Sequence, residues 1–89
     1  MRFLIDTNVL SELRRRDGRP EVKRWVARQP VSDLAISVIT AIEIELGLLR
    51  VERRDPAAAQ HLRRWFEHSV LTGFAHRILP LDLDAARRV

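Results

Sequence analysis

Two carboxylates stand where chemistry could be done. The apolar run Phe3-Leu4-Ile5 stops at Asp6, and the run Leu34-Ala35-Ile36-Ser37-Val38 is followed closely by Glu43. Short runs of bulky and β-branched side chains read as strands buried on both faces, as in parallel sheets. The carboxyl ends of such strands form the edge where ligands bind, because the loops there lead into helix amino termini with unpaired backbone donors. If the two strands are adjacent and parallel, Asp6 and Glu43 converge on one rim. Hard dications such as Mg²⁺ or Mn²⁺ take oxygen ligands, using one or two carboxylates while water and substrate phosphate complete the shell. An ion held this way orients water and stabilises the leaving oxygen in phosphodiester hydrolysis, so the pair points to a metal-dependent nuclease.

Each acid also has a purely structural reading. Thr40-Ala41-Ile42-Glu43 fits a capping box, with the glutamate reaching back to the amide of the cap residue. Asp6 fits a plain helix cap equally well. Glu45 is not separated from Glu43 by helical geometry, since each lies to one side of an Ile42-Leu46-Leu49 stripe. Thr7 and Asn8 suit caps or turns. His61 and His68 are seven residues apart, too far to share an ion, and with His76 they are expected to face solvent. Trp25 and Trp65 are expected in the core or against a partner.

The elements that must position these residues follow in order. Thr7 or Asn8 caps a first helix through Val9, Leu10 and Leu13, which ends in the basic run Arg14-Arg15-Arg16 and the turn Asp17-Gly18-Arg19-Pro20. Pro20 opens a second helix with Val22, Trp25 and Val26 at helical spacing. The strand at 34–38 leads to a third helix opened by Thr40, with Ile39, Ile42, Leu46 and Leu49 as its apolar stripe and Gly47 allowing close backbone approach to a neighbour. Asp55-Pro56 starts a fourth helix carrying Ala59, Leu62, Trp65, Phe66 and Val70 on one side, closed by Thr72-Gly73. Ile78-Leu79-Pro80-Leu81 is a short edge strand, and Asp82 caps a last helix. The order β-α-α-β-α-α-β-α predicts an α/β fold with a parallel sheet and right-handed crossovers.

Composition bounds the rest. Eighty-nine residues make a single small domain spanning 1–89, with 46% hydrophobic residues for a core. No cysteine is present, so disulfides and thiolate metal sites are excluded. No apolar run approaches the length of a membrane span, so a cytoplasmic protein without membrane contact is expected. The net charge is +4, and Lys23 is the only lysine. Arginine forks suit the phosphates of a nucleic acid backbone, and they equally make solvated faces.

Three segments resemble one family: Leu4-Ile5-Asp6-Thr7-Asn8-Val9-Leu10-Ser11-Glu12-Leu13, then Ile36 to Gly47, then Arg77-Ile78-Leu79-Pro80-Leu81-Asp82. In order and spacing they are similar to the PIN-domain toxins of the VapC/FitB type. The resemblance implies a three-layer α/β/α fold with a central parallel sheet, of which this chain corresponds to the first two thirds. It also implies an Mg²⁺- or Mn²⁺-dependent endoribonuclease acting as the toxin of a type II toxin–antitoxin pair, a homodimer held inactive by its antitoxin. Asp6 and Glu43 match the family's first two acidic metal ligands, with Asn8 and Thr40 as flanking polar residues. The further acidic ligands come from a segment beyond Val89; Asp82 and Asp84 do not match them. The alternative is a catalytically incomplete PIN fragment that serves as an antitoxin-binding or self-association module.

Overall fold

The computed structural model describes residues 2–80. Its elements are β1 (Phe3–Leu4), α1 (Thr7–Arg14), α2 (Pro20–Arg28), β2 (Leu34–Ser37), α3 (Val38–Arg54), α4 (Pro56–Trp65) with a π-helical continuation (Phe66–Leu71), and β3 (Ile78–Leu79). The strands form a parallel sheet in the order β1-β2-β3, with Leu4 opposite Ala35 and Ser37 opposite Leu79. Each connection passes through a pair of helices. With the strands in sequential order, connections of the usual right hand would lay those helices on one face of the sheet.

The core shows this in its residues. Strand side chains alternate between faces, and Phe3, Ile5, Leu34, Ile36 and Ile78 pack with Leu10, Leu48, Phe66 and Val70 from the helices. Ile36, on the central strand, is fully buried. The alternate positions Leu4, Ala35 and Leu79 belong to the other face, where with Arg2 and Phe3 they line a shallow cavity of about 130 Å³. On that face Ala35 is buried and Leu79 half-buried, while Leu4 is open to solvent. The expectation that β1 is buried on both sides is therefore corrected: Ile5 is 4% exposed, but Leu4 is 61% exposed.

Local chemistry accounts for the boundaries. Pro20 and Pro56 each occupy the first turn of a helix, as expected, and the Asp55 carboxylate accepts from the Ala58 N–H at 3.2 Å. Glycine is required in the α1–α2 turn, where a Cβ on Gly18 would lie 1.9 Å from the Glu12 carbonyl oxygen. At Gly47 the expectation of close approach fails: a Cβ there would meet nothing within 4 Å. On α4, the expected face of Ala59, Leu62, Trp65, Phe66 and Val70 is the one turned to the core. The last helix expected after Asp82 lies outside the described residues.

Candidate functional site

The carboxyl ends of β1 and β2 lie side by side. Ile5 N–H donates to the Ala35 carbonyl at 2.7 Å, and continuing the register sets Asp6 beside Ser37. Both residues then cap a helix. Asp6 Oδ1 accepts from the Val9 N–H at 2.9 Å, and Ser37 Oγ accepts from the Thr40 N–H at 3.1 Å. The rim of the sheet thus presents two helix amino termini together, each with the positive end of its dipole directed there.

The Asp6 cap is one of the two readings drawn for that residue, whereas Thr7 or Asn8 does not cap α1 and Thr40 does not cap α3. A side-chain oxygen caps best from the extended residue before the helix, bonding an amide three positions ahead, and Asp6 and Ser37 hold that geometry. The consequence falls on Glu43. With Ser37 as cap, the box position is taken by Thr40, so the capping box drawn through Glu43 does not form. Glu43 is instead the sixth residue of α3, about 9 Å along the axis from its start. It is exposed and makes no ion pair among the described residues.

Glu45, left equivalent to Glu43 by helical geometry, is fully committed. Arg63 Nη1 donates to both of its carboxylate oxygens at 2.9 and 2.8 Å, and Arg63 Nη2 donates to Glu52 at 2.7 Å. The two hydrogen-bonded carboxylates, Glu52 first and Glu45 second, hold the Arg63 pKa above its ordinary value. This clamp ties α3 to α4. It was not anticipated, although the seven-residue spacing of Glu45 and Glu52 puts both acids on one flank of the helix. Glu43 lies on the opposite flank.

Of the flanking polar residues, Asn8 is exposed in the first turn of α1, and Thr40 is 6% exposed, its hydroxyl within 3.4 Å of Ser37 Oγ. Thr7 Oγ1, next to Asp6, is buried with no partner among the described residues. His61, His68 and His76 are exposed as expected. Trp25 and Trp65 are half-buried against the core, Trp25 meeting Phe3 edge-on at 4.8 Å and Trp65 lying under the Arg14 guanidinium.

Among the described residues no three Asp, Glu, His or Cys side chains come together as a metal cluster. In their chemistry the Asp6 and Glu43 carboxylates nevertheless fit a hard dication. Asp6 spends one carboxylate oxygen on Val9 and keeps the other, and Glu43 keeps both. Neither carboxylate is neutralised by a cation among the described residues. Two oxygen donors suit an ion that keeps most of its water.

Comparison with known proteins places this chain in a family. The PIN domain family matches residues 3–89. Ribonuclease VapC14 of Mycobacterium tuberculosis (strain CDC 1551 / Oshkosh) is 42% identical over 74 residues, which are 83% of this chain and 72% of that protein. Toxin FitB of Neisseria gonorrhoeae (strain ATCC 700825 / FA 1090) is 37% identical over 84 residues, 94% of this chain and 59% of that protein. The crystal structure of FitAcB from Neisseria gonorrhoeae superposes with a TM-score of 0.83 at 34% identity, covering 94% of this chain and 59% of that one. A structure of FitAB bound to a DNA fragment gives 0.80 over 94% and 57%. The chain thus spans between about three fifths and three quarters of the length of these relatives. The parallel sheet with helical crossovers is the fold of these neighbours, consistent with the expected three-layer α/β/α architecture. The chain belongs to the PIN-domain family.

Proposed function

We propose that this chain carries the first two acidic ligands of an Mg²⁺- or Mn²⁺-dependent endoribonuclease, the toxin of a type II toxin–antitoxin pair. One observation carries the reading. Asp6 and the helix that bears Glu43 leave the sheet at adjacent strand ends, and both carboxylates have oxygens free for a cation. The names of the relatives, ribonuclease VapC14 and toxin FitB, supply the reaction class. FitAcB and FitAB point to a cognate antitoxin as partner. RNA as substrate, a homodimer and a cytoplasmic location belong to the same reading. Among the described residues no helix is long and apolar enough to cross a membrane.

Asp6 and Glu43 would hold the ion, and Asn8 and Thr40 would flank it. When bound, the ion supplies charge stabilisation and an activated water for phosphodiester cleavage. The remaining work is done by the chain. Asp6 is held rigidly by its own cap bond, so its second oxygen is presented in a fixed direction. Ser37 fixes the start of α3 and hence the position of Glu43. The paired helix amino termini favour an anionic substrate group at the rim.

The test is RNA cleavage by this chain with Mg²⁺ or Mn²⁺, beside the Asp6→Asn and Glu43→Gln variants. Cleavage that stops with EDTA and in both variants supports the reading; cleavage that survives both substitutions ends it. A second reading is favoured by one observation, the apolar face that α3 leaves exposed. In that reading the chain is a non-catalytic self-association or antitoxin-binding module. It predicts association that Asp6→Asn does not alter and RNA that stays intact.

A further inference from the structure

Three acids stand on α3: Glu43, Glu45 and Glu52. Two of them meet at one cation. Glu45 and Glu52 are separated by about 10 Å along the helix axis, yet Arg63 of α4 holds both. Its Nη1 donates to the two Glu45 oxygens at 2.9 and 2.8 Å, and its Nη2 donates to Glu52 at 2.7 Å. The guanidinium therefore marks a point that both carboxylates reach. Beside it lies an open cavity of about 370 Å³, lined by Glu52, Pro56, Ala59, Gln60 and Arg63, so water and solvated ions have access to the cluster. Glu43 has no such partner among the described residues.

Two carboxylates with a shell of water are a ligand set that a hard dication takes. By that count Glu45 with Glu52 equals Asp6 with Glu43, and one helix carries both acids of the first pair. What separates the pairs is Arg63. A guanidinium stays charged over the whole range in which carboxylates are ionised, and hydrogen bonds between two ionised groups are the strong ones. A dication at Glu45 and Glu52 would have to displace this charge or lie against it. We propose that Arg63 determines where the metal binds: it keeps Mg²⁺ and Mn²⁺ off Glu45 and Glu52, and leaves Glu43 as the acid of α3 that can take the ion. This rests on the reading of Asp6 and Glu43 as metal ligands, to which it adds the residue that closes the competing pair. The selecting property is the charge of Arg63, which is separable from its place in the joint between α3 and α4.

Mn²⁺ titration of the full chain, followed by paramagnetic broadening of its amide signals, tests this on the wild type beside Arg63→Gln, Arg63→Met and Arg63→Lys. The wild type is expected to keep its signals at 45 and 52 through the titration. Arg63→Gln and Arg63→Met are expected to lose those signals and their neighbours at 59–60 early, with one further Mn²⁺ bound per chain and affinity there raised roughly tenfold or more. Arg63→Met keeps an apolar stem between α3 and α4, so it reports on the charge even where Arg63→Gln fails to fold. Arg63→Lys, which keeps the charge and loses the fork, is expected to stay close to the wild type. Adding Glu45→Gln to Arg63→Met removes the new site. Signals at 45 and 52 that survive in both Arg63→Gln and Arg63→Met, that vanish in the wild type, or that vanish as early in Arg63→Lys would overturn the proposal. A rim that never binds ends the nuclease reading while the new site in Arg63→Met still marks Arg63 as the closing charge. A rim that binds with no new site in either uncharged variant ends this proposal alone.

Discussion

Glu43 and Glu45 are two residues apart on one helix and have opposite fates. Glu45 faces α4, where Arg63 takes both its oxygens and ties the helices together. Glu43 lies on the opposite flank of the same helix and makes no ion pair among the described residues. A polar group that folding uses is satisfied by folding. One that folding leaves free, on a helix that leaves the sheet next to the strand end carrying Asp6, is available to a ligand.

The two sides of α3 differ in the same way, and the largest expected effect separates them. Leu48→Ala should destabilise the chain by about 2–5 kcal/mol, because it empties a fully packed site. Leu46→Ala should cost within about 0.5 kcal/mol, because that residue is 48% exposed. Urea unfolding measures both, and equal losses would mean that the helix is turned differently. Next come the caps. Asp6→Ala should cost about 1 kcal/mol through the lost bond to Val9. Asp6→Asn should keep most of that stability while losing any bound ion. A matching pair of losses would reduce Asp6 to a cap.

Which side of α3 packs inward was not legible in the sequence, for a physical reason. Ile39, Ile42, Leu46 and Leu49 make a better stripe by spacing than Thr40, Ala41, Ile44 and Leu48 do, and only tertiary contact decides between them. The α3 cap was misplaced for a related cause. Ser37, Val38 and Ile39 continue an apolar strand pattern, and only the Ser37 hydroxyl bonding forward shows that the helix has begun. The element order, the proline-started helices, the α4 core face and the position of Asp6 at the end of β1 were all legible. Each is signalled by a local break: a run that stops at a carboxylate, or a proline after a cap.

The Arg63 clamp should be worth less than the core or the caps. Its partners are more than two fifths exposed, so solvent screens the pair and Arg63→Ala should cost less than Leu48→Ala or Asp6→Ala. Glu43→Gln should change stability by less than about 0.5 kcal/mol. A large loss at Glu43 would show an unseen structural role and weaken the case for a ligand.

The smallest effect concerns pH. The backbone hydrogen bond at Glu21, with Arg19 beside it, holds the Glu21 carboxyl below its ordinary range. The stability it contributes is present at neutral pH and lost as pH falls through that lowered value. NMR titration should find Glu21 titrating below a free glutamate, and in Glu21→Gln the acid-side decline should be slightly shallower.

Paramagnetic broadening by Mn²⁺ of the amide signals of the full chain tests the rim most directly. Binding between Asp6 and Glu43 predicts early loss of signals at 6–8 and 37–43, none at Glu52 or Arg63, and recovery in both Asp6→Asn and Glu43→Gln. Broadening centred on Glu45 and Glu52, or spread evenly over the surface carboxylates, would contradict it.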